Sequence, residues 1–448
     1  MPCPYTMGLH GYSIMRFFSS EETPLAEIAD AVAPAARGAG SAAEASVREM
    51  VAAVRERGDE AVVAYSRERD WPGADVARLR VSDEEIGAAR EALGKEDEAA
   101  LRASAERVRD FHEKQRPRDV LSADGDGVLL GWRYTPIESV GINAPAAAAP
   151  LPSSLIMAVV PAQVAGVARI VAVTPPARDG SVNAGILAAA AMLGVTEVYR
   201  IGGPWAIAAL AYGTATIKPV DKIVGPGNIY ANLAKALVSG VVGVDGFYGP
   251  SEVVILADEH ADPSLIAADL AAQAEHGADS LAALVTCSRL VIGKVNSSLA
   301  RTVKGLRRGD IVRRCLEERG AAILVRDMDE GIEMVNLLAP EHLELMVGDA
   351  RQVMGRVRNA GCILLGAQSP AAVSDYLAGP SHILPTGRSA RFSSGLGVMD
   401  FMKRSSVVSV SPEWLALHGG DIERLAEMEG LEAHARSVRI RMPKDERR

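Results

Sequence analysis

Several features that mark other protein classes are scarce in this chain of 448 residues. Aromatic residues make up only 4% of it, and no apolar run reaches the ~20 residues that span a bilayer. The first residues also lack the apolar stretch of a signal peptide. We therefore expect a cytoplasmic protein with no membrane partner, and we assign no structural role to residues 1 to about 20.

Cysteine and positive charge are scarce as well. The four cysteines include no CxxC pair, which argues against a structural zinc knuckle or a dithiol redox motif and suits a reducing compartment. Lysine and arginine number 48 against 57 acidic residues, a net charge of −9. A general nucleic-acid binder needs a basic face, so we expect no nucleic-acid partner.

Two periodicities divide the chain. Residues from about 36 to 115 show apolar residues at helical spacing, with Gly58 ending one helix before the next begins. From about residue 137, β-rich runs alternate with alanine-rich helical runs, and from about 410 the tail is helical again. Alternation of this kind predicts an α/β fold of two Rossmann-like, doubly wound domains with helical N-terminal and C-terminal segments.

We place the domain boundaries where these patterns change. The predicted units are an N-terminal segment (1–37), a discontinuous first α/β domain that carries the metal and catalytic residues (38–142 and 251–396), a second α/β domain on the cofactor side (143–250) and a C-terminal, dimer-completing segment (397–448).

Some polar residues could do chemistry, although each has a plainer explanation. Gln273 and His276 are three apart at the end of a predicted helix and share a face; a single histidine there is more often a helix cap than a ligand. Glu341 and His342 follow Pro340, which favours a helix start after it. A glutamate there is usually a dipole partner, but an adjacent acid and base would suit two proton transfers.

The other candidates lie in a loop, a tail and a glycine turn. Asp375 falls in a predicted loop, SDYLAGPSHILPT, where aspartate commonly forms a turn. Glu429 and His434 flank Gly430 in a segment that reads as a solvated helix. The sequence lacks a GxGxxG fingerprint after its first strand, but GPGNIY at 225–230 offers glycines before a helix. Most such loops are turns, and some bind phosphate.

Ten segments taken together resemble the histidinol dehydrogenase family in order and approximate spacing, from about residue 40 to 440. They are RERGDEAVVAYSRERD, VRDFHEKQ, PAQVAGVARIVAVTPP, IGGPWAIAALAYGT, VDKIVGPGN, GPSEVVILAD, DLAAQAEHGADS, LAPEHLEL, GPSHILPTGRSARFSSGLGVMDFMKR and EGLEAH.

The resemblance implies a set of site residues. Zinc ligands fall on Gln273, His276 and Asp375 of one subunit and on His434 of its partner, in an obligate homodimer with shared active sites. The acid–base pair falls on Glu341 and His342, and substrate contacts fall on Ser251, His382 and Glu429, the last again from the partner chain. The implied reaction uses NAD twice and converts an amino alcohol through a bound aldehyde to a carboxylate.

The cofactor wall departs from the family pattern. The family loop commonly reads YVPGG, whereas this chain has NAPAA, with Asn143 in place of the tyrosine and Ala146 and Ala147 in place of the glycines. Trp205 replaces a glutamine, and of the cofactor positions only Asn228 matches. An indole can stack on a base, so we expect NAD to bind with Trp205 stacking on adenine or nicotinamide.

These departures leave three functions open. The chain is expected to be a zinc- and NAD-dependent dehydrogenase acting on histidinol or a related amino alcohol. The alternatives are a zinc-dependent, non-redox enzyme that has lost NAD and a non-catalytic protein that holds a ligand in the chelating pocket. Binding of NAD separates the first from the other two, and turnover separates the second from the third.

Overall fold

A computed structural model describes residues 14–33, 41–124, 127–146 and 150–442. Two predictions fall on residues outside these ranges: that residues 1–13 have no structural role, and that Ala147 replaces a glycine of the cofactor loop. Within it, no helix is long and apolar enough to cross a membrane.

The described chain alternates strands and helices as the sequence predicts. The strands are β1 (Arg16–Ser19), β2 (Val120–Ala123), β3 (Val128–Pro136), β4 (Ser139–Asn143), β5 (Arg169–Val173), β6 (Glu197–Tyr199), β7 (Lys222–Val224), β8 (Gly243–Val244), β9 (Glu252–Ala257), β10 (Leu281–Thr286), β11 (Ala321–Leu324), β12 (His342–Met346), β13 (Cys362–Leu365) and β14 (Met402–Val410). The α-helices are α1 (Leu25–Val32), α2 (Ser41–Arg57), α3 (Asp59–Tyr65), α4 (Val76–Leu79), α5 (Asp83–Glu91), α6 (Lys95–Glu113), α7 (Pro152–Ala165), α8 (Ala184–Met192), α9 (Gly203–Tyr212), α10 (Ile229–Val238), α11 (Pro263–Ala274), α12 (Arg289–Thr302), α13 (Gly309–Glu318), α14 (Met328–Leu338), α15 (Ala350–Met354), α16 (Ala371–Tyr376), α17 (Pro412–Met428) and α18 (Glu432–Arg439).

The first of two parallel sheets has the strand order β6-β5-β4-β7-β8. Its strands are short and apolar, and alternate residues face opposite layers of helices. Val140 and Ile142 of β4 pack with α7 and α8, whereas Val171 and Val173 of β5 pack with α9 and α10. The chain reverses its winding between β4 and β7, and the carboxyl edge of such a switch point is where doubly wound sheets bind ligands.

The second parallel sheet repeats this order with one strand added, β1-β11-β10-β9-β12-β13. Every residue of β9, β10 and β12 is buried, because helices α11 to α13 cover one face and α1 and α14 cover the other. The strand β1 at 16–19 pairs with β11, so the expectation that residues up to about 20 have no structural role is wrong for this strand.

Packing groups the chain differently from the predicted domain boundaries. The helices of residues 41–113 lie on the first sheet: α2 packs on α9 and α10, and α5 and α6 pack on α8 and α7. The helices at 41–113 therefore belong with the sheet of 143–250 and not with 251–396. Residues 16–32 instead complete the second sheet, because β1 offers an apolar edge strand to β11.

The remaining strands form a small antiparallel sheet in the order β14-β3-β2. All four residues of β2 are exposed, and most of β14 is exposed as well. The tail then continues into α17 and α18, which pack mainly on each other. Gly430 separates the two helices in a left-handed conformation with φ 72°. The C-terminal segment, expected to be helical, thus also contributes the strand β14.

Candidate active site

A cleft of about 1490 Å³ runs between the two parallel sheets. It opens at the carboxyl ends of β4 and β7 on the first sheet, where Asn143 and the GPGN loop lie, and at the amino ends of β9 and β12 on the second. Ten of the twelve predicted site residues line it: Asn143, Trp205, Asn228, Ser251, Gln273, His276, Glu341, His342, Asp375 and His382.

Glu341 is buried where the second sheet meets the cleft. Its Oε2 accepts hydrogen bonds from the Ser251 hydroxyl at 2.6 Å and from the Glu252 backbone amide at 2.7 Å. Burial raises the pKa of Glu341, while the charge of His342 and these hydrogen bonds act in the opposite direction. A desolvated carboxyl group held in this way suits a general acid or base.

His342 begins strand β12, paired between β9 and β13. The expected helix start after Pro340 is therefore wrong, because Ala339 is left-handed, with φ 43°, and turns the chain into the sheet. The Nδ1 of His342 lies 3.3 Å from the Glu252 carbonyl oxygen, which fixes the Nδ1–H tautomer and leaves Nε2 as the basic nitrogen.

The surroundings of His342 Nε2 are acidic. This atom is buried without a hydrogen-bond partner and lies 3.4 Å from Asp375 Oδ1, without hydrogen-bond alignment. Burial would lower the pKa of His342, but the neighbouring carboxylates of Glu341 and Asp375 outweigh it and raise the pKa to about 9. The ring thus faces a position from which it can exchange a proton with a group in the cleft.

The sequence predicts a loop at Asp375, but this residue lies in the last turn of α16. Its backbone oxygen accepts from His382 Nδ1 at 2.9 Å, and the His382 Nε2 lies 2.9 Å from the Ser154 hydroxyl. Burial would raise the pKa of Asp375, but the nearby His342 ring, with the charges of His382 and His276, holds it below its usual value. His382 is thereby fixed by hydrogen bonds at both ring nitrogens.

Gln273 and His276 face the cleft from the end of α11. Gln273 is buried and its Nε2 has no hydrogen-bond partner, whereas His276 is exposed just beyond the helix. No cluster of three or more His, Cys, Asp or Glu side chains within the described ranges is arranged to hold a metal. The set predicted from one subunit contains only two residues of those types, since its third member is a glutamine.

Glu429 and His434 do not line the cleft of their own chain. Glu429 caps the end of α17 and His434 lies in α18, and both side chains are exposed. A single chain therefore does not bring these two residues together with the other predicted ligands and substrate contacts.

The predicted cofactor residues lie at the switch point of the first sheet. Asn143 ends β4, and its Nδ2 donates to the Pro226 oxygen at 2.6 Å, which ties β4 to the GPGN loop. Asn228 caps α10, and its Oδ1 accepts from the amides of Tyr230 and Ala231, each at 3.1 Å. The side chains of both asparagines thus make hydrogen bonds that hold the GPGN loop and the start of α10 in place.

Trp205 is 5% exposed and belongs to the helix layer of the first sheet. Its ring stacks on Tyr65, with centroids 5.8 Å apart and planes at 23°. Trp205 also lines the cleft, although its side chain is almost completely buried. This position favours packing over the base stacking that the sequence suggested.

Sequence reasoning missed two buried polar groups beside the cleft. Glu252 bridges the second sheet to the 387 loop, because its Oε1 accepts from the Gly387 amide at 2.9 Å. Glu344 is buried beside the half-buried Asp269 of α11, and burial, together with the charge of Asp269, raises the pKa of Glu344 to about 8. The sequence signal that could have identified Glu252 and Glu344 is their negative charge, because each lies in an otherwise largely apolar strand.

Two sheets of Rossmann-like strand order, with a buried acid–base pair in the cleft between them, define an α/β enzyme. The histidinol dehydrogenase family model matches residues 35–442. Histidinol dehydrogenase from Geobacillus kaustophilus is 47% identical over 401 residues, which is 90% of this chain and 94% of the relative. The Rhodopseudomonas palustris histidinol dehydrogenase is 48% identical over 399 residues, which is 89% of this chain and 92% of the relative.

A solved structure gives the same result. The crystal structure of histidinol dehydrogenase from Elizabethkingia anophelis superimposes with a TM-score of 0.90 at 32% identity, over 96% of this chain and 99% of the other. The chain belongs to the histidinol dehydrogenase family, and it is an enzyme of the dehydrogenase class.

Proposed function

We propose that this chain oxidises an amino alcohol, histidinol or a close relative, through a bound aldehyde to a carboxylate, with NAD as the hydride acceptor and zinc as a bound metal. The observation that carries the proposal is the Glu341–His342 pair, buried side by side with their near atoms 3.7 Å apart at the cleft. Two oxidations at one carbon need two proton acceptors, and adjacent groups with separate partners can supply them.

His342 takes the proton from the substrate hydroxyl at Nε2, while Nδ1–H remains on the Glu252 carbonyl. Glu341 then takes a proton from the water that adds to the aldehyde, and the carboxylic acid left by the second hydride transfer releases its own proton to solvent as it becomes the carboxylate. Both residues are buried at the cleft, which limits their contact with bulk water. When bound, NAD accepts one hydride in each oxidation, which accounts for the electrons of both steps.

The donor set fits zinc. Nitrogen and oxygen ligands suit its borderline character, and Gln273 would bind through its carboxamide oxygen, because the amide nitrogen is only a hydrogen-bond donor. The buried Nε2 of Gln273 makes no hydrogen bond that would hold the amide in another orientation. Gln273, His276 and Asp375 would hold the ion together with His434 of the partner subunit. When bound, zinc would chelate and orient the imidazole and amine nitrogens of the substrate. Asp375 would then contribute less to raising the pKa of His342, which favours a neutral imidazole.

A homodimer with shared sites is part of the proposal. The C-terminal segment exposes large apolar side chains, among them Leu417 (75%), Leu425 (61%) and Met428 (78%). The small sheet exposes Leu121 and Val408 at 58% and 68%. Exposed apolar surface of this extent marks an interface, and it is continuous with the elements that carry Glu429 and His434.

The test is an NADH absorbance assay with histidinol and a panel of amino alcohols, on protein whose zinc content has been measured. The expected result is about one zinc per chain and two NADH per substrate oxidised. Absence of NAD binding would contradict the redox reaction and favour a zinc enzyme without a nucleotide. Absence of zinc after reconstitution would contradict the metal site.

A further inference from the structure

Aromatic side chains make up only 4% of this protein, and few of them line the cleft. Among the residues that the structure describes, four do so: Trp205, Tyr230, Tyr248 and Tyr376. A planar base of a dinucleotide is best held on an aromatic ring with a free face. Such a ring must have a face that no other side chain of the protein covers.

Two of the four are occupied by protein. Trp205 is buried and stacked on Tyr65. Tyr248 is 9% exposed, its hydroxyl donates to Asp245 at 2.9 Å, and the Lys235 ammonium lies 5.1 Å from its ring centroid. Neither ring can accept a base without displacing these neighbours.

The remaining two, Tyr376 and Tyr230, are 57% and 46% exposed, and neither ring is engaged in the aromatic or cation–π contacts of the described residues. Their positions distinguish them. Tyr376 follows Asp375 at the end of α16, beside the acid–base pair. Tyr230 lies in the first turn of α10, directly after the GPGN loop at the switch point of the first sheet, where doubly wound sheets bind ligands.

We propose that Tyr230 is the residue on which a base of the dinucleotide stacks, a role that the sequence had suggested for Trp205. This inference rests on the proposed use of NAD. An aromatic ring is missing at Asn143, and Tyr230 offers one on the neighbouring loop. Asn143 in turn holds that loop in place through its bond to Pro226.

Calorimetric titration of NAD tests the proposal without any turnover. Tyr230→Ala should raise the Kd roughly 5- to 150-fold, since stacking on one aromatic ring is worth about that factor. Tyr230→Phe, which keeps the ring, should stay close to the wild type. Phe247→Ala is the matched control, because Phe247 is 52% exposed on a nearby loop and does not line the cleft.

The same titration with ADP-ribose identifies the stacked base. Equal weakening of NAD and ADP-ribose by Tyr230→Ala places adenine on the ring, and weakening of NAD alone places nicotinamide there. An unchanged Kd for NAD in Tyr230→Ala, or a loss seen only in Tyr376→Ala, overturns the proposal. A wild-type protein that does not bind NAD at all contradicts the proposed function instead, so the two failures are distinguishable.

Discussion

Glu252 and Glu341 hold each other by a reciprocal pair of hydrogen bonds across strands β9 and β12. The Glu252 amide donates to the Glu341 carboxylate at 2.7 Å, and the Glu341 amide donates to the Glu252 carboxylate at 3.3 Å. Because the Glu252 carbonyl also contacts His342, one residue orients both members of the acid–base pair. Its side chain is therefore part of the support for the site.

Glu252→Gln should change how stability depends on pH. Burial, assisted by the charge of Glu341, raises the pKa of Glu252 from 4.5 to about 7, although backbone hydrogen bonds from Gly387 and Glu341 lower it. The folded state therefore retains a proton that the unfolded state loses, and the wild type loses stability as the pH rises through this window. As the pH rises from 4.5 to about 7, the free energy of unfolding of the glutamine variant should therefore increase relative to that of the wild type. The total change should be roughly 3 kcal/mol, at ~1.4 kcal/mol per pKa unit.

Urea unfolding at a series of pH values measures this difference. Glu330→Gln is the control of opposite sign, because the hydrogen bond from Arg326 outweighs desolvation and lowers the pKa of Glu330 to about 2. The wild-type advantage over that variant should grow as the pH rises from about 2 to 4.5. A pH-independent difference for Glu252→Gln would show that its carboxyl group does not titrate in the folded protein.

Ser251→Ala should move the acidic limb of the pH profile of kcat to higher pH. The Ser251 hydroxyl donates to the charged form of Glu341 at 2.6 Å and so opposes the rise in pKa that burial causes. Without this bond the pKa of Glu341 rises further. Ser251→Thr keeps a hydroxyl group and should retain the wild-type limb. Superimposable profiles for wild type and Ser251→Ala would remove Glu341 from the titration that governs the rate.

Trp205→Ala should cost stability and leave NAD affinity unchanged. Removing a buried indole that stacks on Tyr65 creates a cavity, for which about 3–5 kcal/mol is typical. Thermal or urea unfolding measures the loss, and calorimetry at a temperature where the variant is folded measures the Kd. Trp205→Phe refills most of the space and should recover most of the stability. A weakened Kd in a folded Trp205→Ala protein would assign this ring to the nucleotide after all.

Mixing two inactive variants should restore activity if the sites are shared. His342→Ala damages the acid–base pair, whereas His434→Ala removes a ligand that the partner subunit is proposed to supply. Random exchange makes half of the dimers mixed, and each mixed dimer has one intact site, so about a quarter of the wild-type activity should return. No recovery after exchange has been verified by mass spectrometry would place His434 within its own chain's site.

The repeated βα pattern and the family motifs anticipated much of this arrangement. The buried strands β9, after its first residue, and β10 are nearly continuous apolar runs, which is the signature of parallel sheets. All of the predicted metal, acid–base and substrate residues between Ser251 and His382 line the same cleft.

Local rules failed where tertiary packing decided the outcome. Pro340 suggested a helix, but pairing with β9 and β13 and burial of Leu343 and Leu345 draw the segment into the sheet. The exposed strand β2 has no buried face, so it shows no alternation to recognise. The indole of Trp205 is apolar whether it meets a nucleotide or the core, so only its neighbours could distinguish the two.

The small antiparallel sheet sets a constraint on the order of synthesis and folding. The strand β3 pairs with β14, so Val128 lies opposite Val410 and Pro136 opposite Met402. A nascent chain therefore presents β2 and β3 as a two-stranded hairpin, which is marginal alone, until almost the whole polypeptide has left the ribosome. We expect this sheet to close last, so that a truncated chain keeps an unpaired strand edge, which quality-control systems recognise as incomplete.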